Sequence, residues 1–147
     1  MTSKLHSLMH GCAMTLGLGL GLLSASGLAL ADAVVIVHPS NAAALDDESI
    51  SKIFLGQTKT FPGGAEAVPV DQKEGAAARE DFNGKVLKKT SSQLKALWAR
   101  QIFTGGAKPP KEVDGDDAVL KFVASTPGAI GYIESGKVNA TVKAVKR

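Results

Sequence analysis

The apolar positions of this chain fall into short blocks whose spacing switches between strand-like and helix-like. Residues 33–37, AVVIV, form a continuous run rich in β-branched side chains, which predicts a strand covered on both faces and so a place in a mostly parallel sheet. Ile50, Ile53 and Phe54 fall at i, i+3 and i+4, with Asp46 or Asp47 available as a cap and Gly56 as a stop, so a short amphipathic helix is expected there. The turn-rich stretch GQTKTFPGGAEA then leads into a short strand at residues 68–70. Within it Phe61 either forms part of a binding edge or packs over the turn.

Beyond that strand, Ala78, Phe82 and Val86 repeat every four residues with Leu87 beside them, predicting a helix over about residues 76–89 that Gly84 weakens. Thr90 and Gln93 form a capping pattern ahead of Leu94, Leu97, Trp98 and Ile102, the stripe of a packed helix, with Trp98 in the core. That helix should end near Gly105 and Gly106, and AKPPKEVDGDD reads as a loop, the least ordered part of the chain. Asp114 or Asp116 can start a fourth helix carrying Val119, Leu120 and Val123, closed by Thr126-Pro127-Gly128. AIGYI, residues 129–133, is a strand candidate and TVKAV a weaker one. Strands separated by helices over this length predict one small three-layer α/β unit.

The N-terminus reads differently. Lys4 precedes the apolar run MTLGLGLGLLSASGLALA, which ends in Ala29-Leu30-Ala31, so residues 1–31 are expected to be a signal peptide cleaved after Ala31, leaving residues 32–147 as a single domain. The only cysteine, Cys12, lies in that leader, so disulfides and thiol chemistry are excluded from the domain. No later stretch of about 18 apolar residues suggests a further span, and the product is expected to be soluble in the periplasm or outside the cell. Losing Lys4 lowers the formal charge from +3 to +2, mixed in sign, with scattered lysines and few aromatics; this is no nucleic-acid footprint.

Catalytic chemistry finds little support. The domain has one histidine, His38, which reads as a locally hydrogen-bonded side chain at a strand end, and no metalloprotease, nucleophile-elbow or P-loop pattern occurs. Asp114, Asp116 and Asp117 resemble the opening of a calcium loop, but no glutamate follows at the required spacing and a helix start explains them better. The expectation is a non-enzyme without metal or cofactor.

Binding chemistry is suggested by VPVDQKEGAAAREDF, where a strand passes through a polar turn and Gly75 into a helix start. The N–H groups of Ala76, Ala77 and Ala78 would be first-turn donors, Arg79 would add charge, and Gln72 and Asp71 could add side-chain contacts. The alternative is that Gly75 is only a turn and Arg79 pairs with Glu74 or another surface acid.

Taken in order, VVIVHPSN, ISKIFLGQTKTFPGG, VPVDQKEGAAAREDF and TPGAIGYI resemble the phosphate-type periplasmic substrate-binding proteins of ABC transporters, over about residues 34–133. The resemblance implies one lobe of the type II periplasmic-binding-protein fold, with a mixed, mostly parallel sheet flanked by helices, where family members have two lobes closing on a ligand. Those members follow the strand with an arginine and a Ser-Gly-Thr; the matching positions here are Gln72 and Ala76, Ala77 and Ala78. Each lost charge-assisted hydrogen bond weakens binding by about 1.5–3 kcal/mol, so tight phosphate capture is not expected, and the scaffold of such a site is expected with most of its side-chain ligands absent. Gln72, Gly75, Ala76, Ala77, Ala78 and Arg79 are the expected ligand-binding residues.

Two functions follow. One is a periplasmic solute-binding-like protein that holds phosphate or another oxyanion weakly or with a partner. The other is a ligand-free adaptor or sensor-associated protein that uses its exposed lobe face for protein contact. An ABC permease, another periplasmic protein or a second copy are the partners these readings imply.

Overall fold

The computed structural model describes residues 32–146; the expected leader, residues 1–31, lies outside the described residues. Five strands form one sheet: β1 (Ala33–Val37), β2 (Val68–Gln72), β3 (Lys111–Val113), β4 (Ala129–Glu134) and β5 (Lys143–Ala144), in the order β3-β2-β4-β1-β5. Four α-helices connect them: α1 (Asp47–Phe54), α2 (Ala77–Phe82), α3 (Ser91–Phe103) and α4 (Gly115–Ser125).

The sheet is mixed. β2 runs parallel to both β3 and β4, whereas β1 runs antiparallel to β4 and β5. The apolar run of β1 reports burial on both faces, which it has, rather than strand direction: Val35 and Val37 enter one core and Ile36 the other. The parallel half, β3-β2-β4, brings three strand C-termini to one edge of the sheet, the edge at which open α/β sheets hold ligands.

Local signals set most boundaries. Asp46 is the cap of α1, its carboxylate accepting from the Ser49 N–H at 2.8 Å. Thr90 and Gln93 form the expected reciprocal box, with the Thr90 hydroxyl accepting from Gln93 N–H at 3.2 Å and the Gln93 side chain accepting from Thr90 N–H at 2.9 Å. The helix expected over residues 76–89 is instead a six-residue α2 that runs into a π-helical turn, Asn83–Leu87, containing Gly84 and closed by Lys88 at φ 54. The loop expected at residues 105–115 contains β3, an element the sequence conceals because a three-residue polar edge strand has no hydrophobic alternation.

Helices cover both faces. On one side β1 and β4 present Val35, Val37, Ile130 and Tyr132 to α1, α2 and the π turn; on the other, Ile36, Val70 and Ile133 meet Val119 and Val123 of α4. Phe61 is buried in the first core and also borders a concavity beside its turn. The stripe on α3 differs from expectation: Leu94 alone is buried, Leu97 and Trp98 pack partly against the core, and Ile102 is exposed. Helical spacing identifies a shared face but not how much of it the neighbouring elements reach.

Gly131 of β4 lies directly against Val119 and Val123 of α4. A methyl group there would stand 2.7 Å from Cγ1 of both Val70 and Val119, two fully buried and rotamerically stiff side chains. Gly131→Ala is expected to destabilise by about 1–3 kcal/mol through overpacking. Urea unfolding should show a lower midpoint at unchanged slope, and an unmoved midpoint would mean that the α4 interface has slack.

Candidate functional site

At the C-terminal end of β2 the chain turns through residues 73–76 before entering α2. Lys73 N–H donates to the Val113 carbonyl at 3.1 Å, tying the turn to β3, and Ala76 N–H donates to the Lys73 carbonyl at 3.2 Å. Gly75 sits at φ 87, a left-handed conformation that suits glycine. The first intrahelical bond runs from Glu80 N–H to the Ala76 carbonyl, so the N–H groups of Ala77, Ala78 and Arg79 precede the ladder, and no side chain caps them. Of the expected donors, Ala76 N–H is thus used in the turn, and Ala77 and Ala78 stand at the helix start.

The two expected side-chain ligands are engaged within the protein. Gln72 is buried, and its amide nitrogen donates to Asp116 Oδ1 at 2.6 Å and to the Tyr132 carbonyl at 3.1 Å. It braces β2 against α4 and β4 rather than facing a ligand. Arg79 Nη1 donates to the Gln72 carbonyl at 2.7 Å and to Glu112 Oε1 at 2.8 Å, while Nη2 lies 3.4 Å from Asp71 Oδ2. Its Nε–H is buried without an acceptor. Glu74, the neighbour that sequence proximity offered to Arg79, pairs instead with Lys95 of α3 at 2.6 Å.

Tyr132, a residue the sequence did not mark, organises this cluster from β4. Its hydroxyl donates to Asp71 Oδ1 and accepts from Gln72 N–H at 3.2 Å, and its ring stacks on Phe82 of α2 at 4.2 Å. Burial and the adjacent Asp71 charge push its pKa far up, so it remains a donor. Burial also pushes Asp71 above its ordinary value, opposed by the Tyr132 hydrogen bond and the Arg79 charge. Burial works against the charge on Arg79 as well, but Asp71 and Glu112 outweigh it and hold its pKa high.

Between this cluster and α3 lies a cleft of about 330 Å³ whose lining carries Asp71, Glu74 and Glu112 against Arg79 and Lys95, with Leu94, Trp98 and Ile102 as its apolar wall. Each cation is paired with a carboxylate, which lowers the pull of the cleft on an anion. A larger concavity of about 670 Å³ lies by the Phe61–Gly63 turn and Thr126–Gly128; Glu66 is the one ionisable side chain in its lining, which gives an anion no counter-charge. Among the described residues no group of three or more His, Cys, Asp or Glu could hold a metal ion.

The fold has solved counterparts. A Clostridium perfringens protein assigned as a phosphate ABC transporter substrate-binding protein, with phosphate bound, superposes with a TM-score of 0.60 at 22% identity, over 78% of this chain and 44% of its own. An ABC-type phosphate transport receptor from Vibrio cholerae gives 0.61 at 16% identity, over 78% and 45%, and PstS from Borrelia burgdorferi 0.59 at 15%, over 78% and 46%. The chain shares their fold. It spans less than half the length of each of these proteins. No family model and no curated protein matches the sequence.

Proposed function

We propose that this chain is a periplasmic solute-binding-like protein that takes phosphate or a related small oxyanion weakly, or together with a partner that supplies further contacts. The observation that carries the reading is the shared fold over 78% of the chain with a structure that holds phosphate. In support, the helix start behind β2 is uncapped and follows Gly75, so the N–H groups of Ala77, Ala78 and Arg79 are the donors an oxyanion would use, with the Arg79 guanidinium beside them. Gln72 takes no part, because its amide is committed to Asp116 and Tyr132. Residues 1–31 would direct export and be removed, leaving residues 32–147 as the acting domain. An ABC permease is the partner class this reading implies; a second copy could supply the other wall of the cleft.

A second reading, the ligand-free adaptor, is favoured by one observation: Arg79 is already neutralised by Asp71 and Glu112. Calorimetric titration of residues 32–147 with phosphate, with chloride at matched ionic strength as control, separates the two. Saturable binding in the millimolar range, lost in Arg79→Ala with the fold intact, is expected if the proposal holds. Absence of heat up to the solubility of the ligand would leave the adaptor reading, and binding unaffected by Arg79→Ala would remove the residue assignment.

A further inference from the structure

Charge is distributed unevenly along this chain. Residues 82–111 carry seven basic side chains, six of them lysine, and no acidic one, although the chain as a whole holds 14 acids. Lys85 and Lys95 are paired with acids from outside that segment, whereas Lys88, Lys89, Arg100 and Lys108 make no ion pair among the described residues. Lys88 and Lys89 precede the first turn of α3, and Lys108 follows its last turn, so unpaired cations flank the helix at both ends.

The large apolar side chains most exposed to solvent lie on the same helix. Ile102 is 60% exposed and Phe103 is 91% exposed, consecutive in the last turn, with Arg100 one turn before Phe103 and Gly105 and Gly106 just after. Phe103 projects from the end of the helix; it does not line the cleft that Ile102 borders. Two features therefore coincide: a protruding apolar tip and a lysine-rich segment with no acid of its own, which Glu74 and Glu80 reach from outside at Lys95 and Ser91.

We propose that α3 and its C-terminal turn form a docking surface for an anionic phospholipid bilayer. Phe103 and Ile102 enter the headgroup region while Lys88, Lys89, Arg100 and Lys108 lie against lipid phosphates. The charge pattern selects this partner. Protein–protein interface cores are depleted in lysine and enriched in arginine, the reverse of this segment, whereas juxtamembrane lysines gain additively from an anionic surface within a Debye length. One apolar anchor gives marginal membrane affinity, and an apolar anchor combined with a basic patch gives useful affinity. A projecting phenylalanine suits a fluid interface that needs no complementary recess.

Vesicle co-sedimentation of residues 32–147, which hold every residue of both buried cores, tests this. Equimolar phosphatidylglycerol–phosphatidylcholine vesicles are expected to bind the protein at low salt, with binding lost at high salt and on pure phosphatidylcholine. Phe103→Ser is expected to lower partitioning by about tenfold. Since Phe103 is almost wholly exposed, the fold should survive, as circular dichroism would verify. The triple variant Lys88→Gln, Lys89→Gln, Lys108→Gln is expected to lose at least about tenfold and to flatten the salt dependence. Equal binding to both vesicle types, or a Phe103→Ser variant that binds like the parent, would overturn the proposal. So would failure to bind either vesicle combined with retention on immobilised polyglutamate, which would transfer the surface to an acidic protein partner.

Discussion

Phe82→Ala is expected to remove about 3–5 kcal/mol of unfolding free energy, a large share of what a domain of this size possesses. The side chain is 1% exposed at the end of α2, stacked on Tyr132 with ring planes 8° apart and set edge-on to Phe54 at 4.7 Å. Truncation opens a cavity between α1, α2 and β4 that backbone movement cannot close, because β4 is held in register by β1 and β2. The thermal midpoint should fall by about 12–20 °C, taking the entropy change of unfolding for a chain of this length. Loss of the stack also frees the ring that carries the Tyr132 hydroxyl to Asp71, so near-ultraviolet dichroism should weaken even below the midpoint. A drop of less than about 1 kcal/mol would show that this aromatic group is not the centre of the first core.

The second large effect is a gain. Asp71→Asn with Glu112→Gln is expected to raise oxyanion affinity by about tenfold or more, roughly 1.4–3 kcal/mol, because both carboxylates that neutralise Arg79 lose their charge. The amide oxygen introduced by Asp71→Asn would still accept from the Tyr132 hydroxyl, and Glu112 lies half-exposed on the edge strand, so neither change should disturb the fold. Titration with sulfate, whose charge is constant over the working range, gives a cleaner reading than phosphate. In the unmodified protein, lowering the pH should strengthen sulfate binding as Asp71 takes up its proton, and the double variant should show less of this dependence. The sign follows from the direction of the shift. The folded-state pKa of Asp71 is raised above 3.8, so its contribution to stability is fully present below 3.8 and is lost as the pH rises through the raised value. Unchanged affinity in the double variant would mean that the turn before α2 holds no anion, and would favour the adaptor reading.

Much of the fold was legible because it is specified by neighbours in sequence. The cap at Asp46, the reciprocal box at Thr90 and Gln93, the β-branched run of β1 and the helical spacing of Val119, Leu120 and Val123 each act over a few residues, where side-chain and backbone geometry fix the outcome. The likeness to phosphate-type binding proteins was legible for a related reason, since each of its motifs is a continuous stretch that joins a strand or helix to its adjoining turn.

The chemistry of the site was set elsewhere. Gln72 finds Asp116 44 residues away, Arg79 finds Glu112 33 residues away, and Tyr132 reaches Asp71 across 61 residues. The sequence alone determined that a helix would start behind β2 with an arginine in its first turn. Tertiary structure decided that Gln72 turns inward, that the arginine meets two carboxylates, that residues 111–113 become a strand, and that α3 leaves Ile102 and Phe103 in solvent. Local pattern states which face of an element is apolar; which group meets that face depends on strand order and register, which no short stretch of the chain contains.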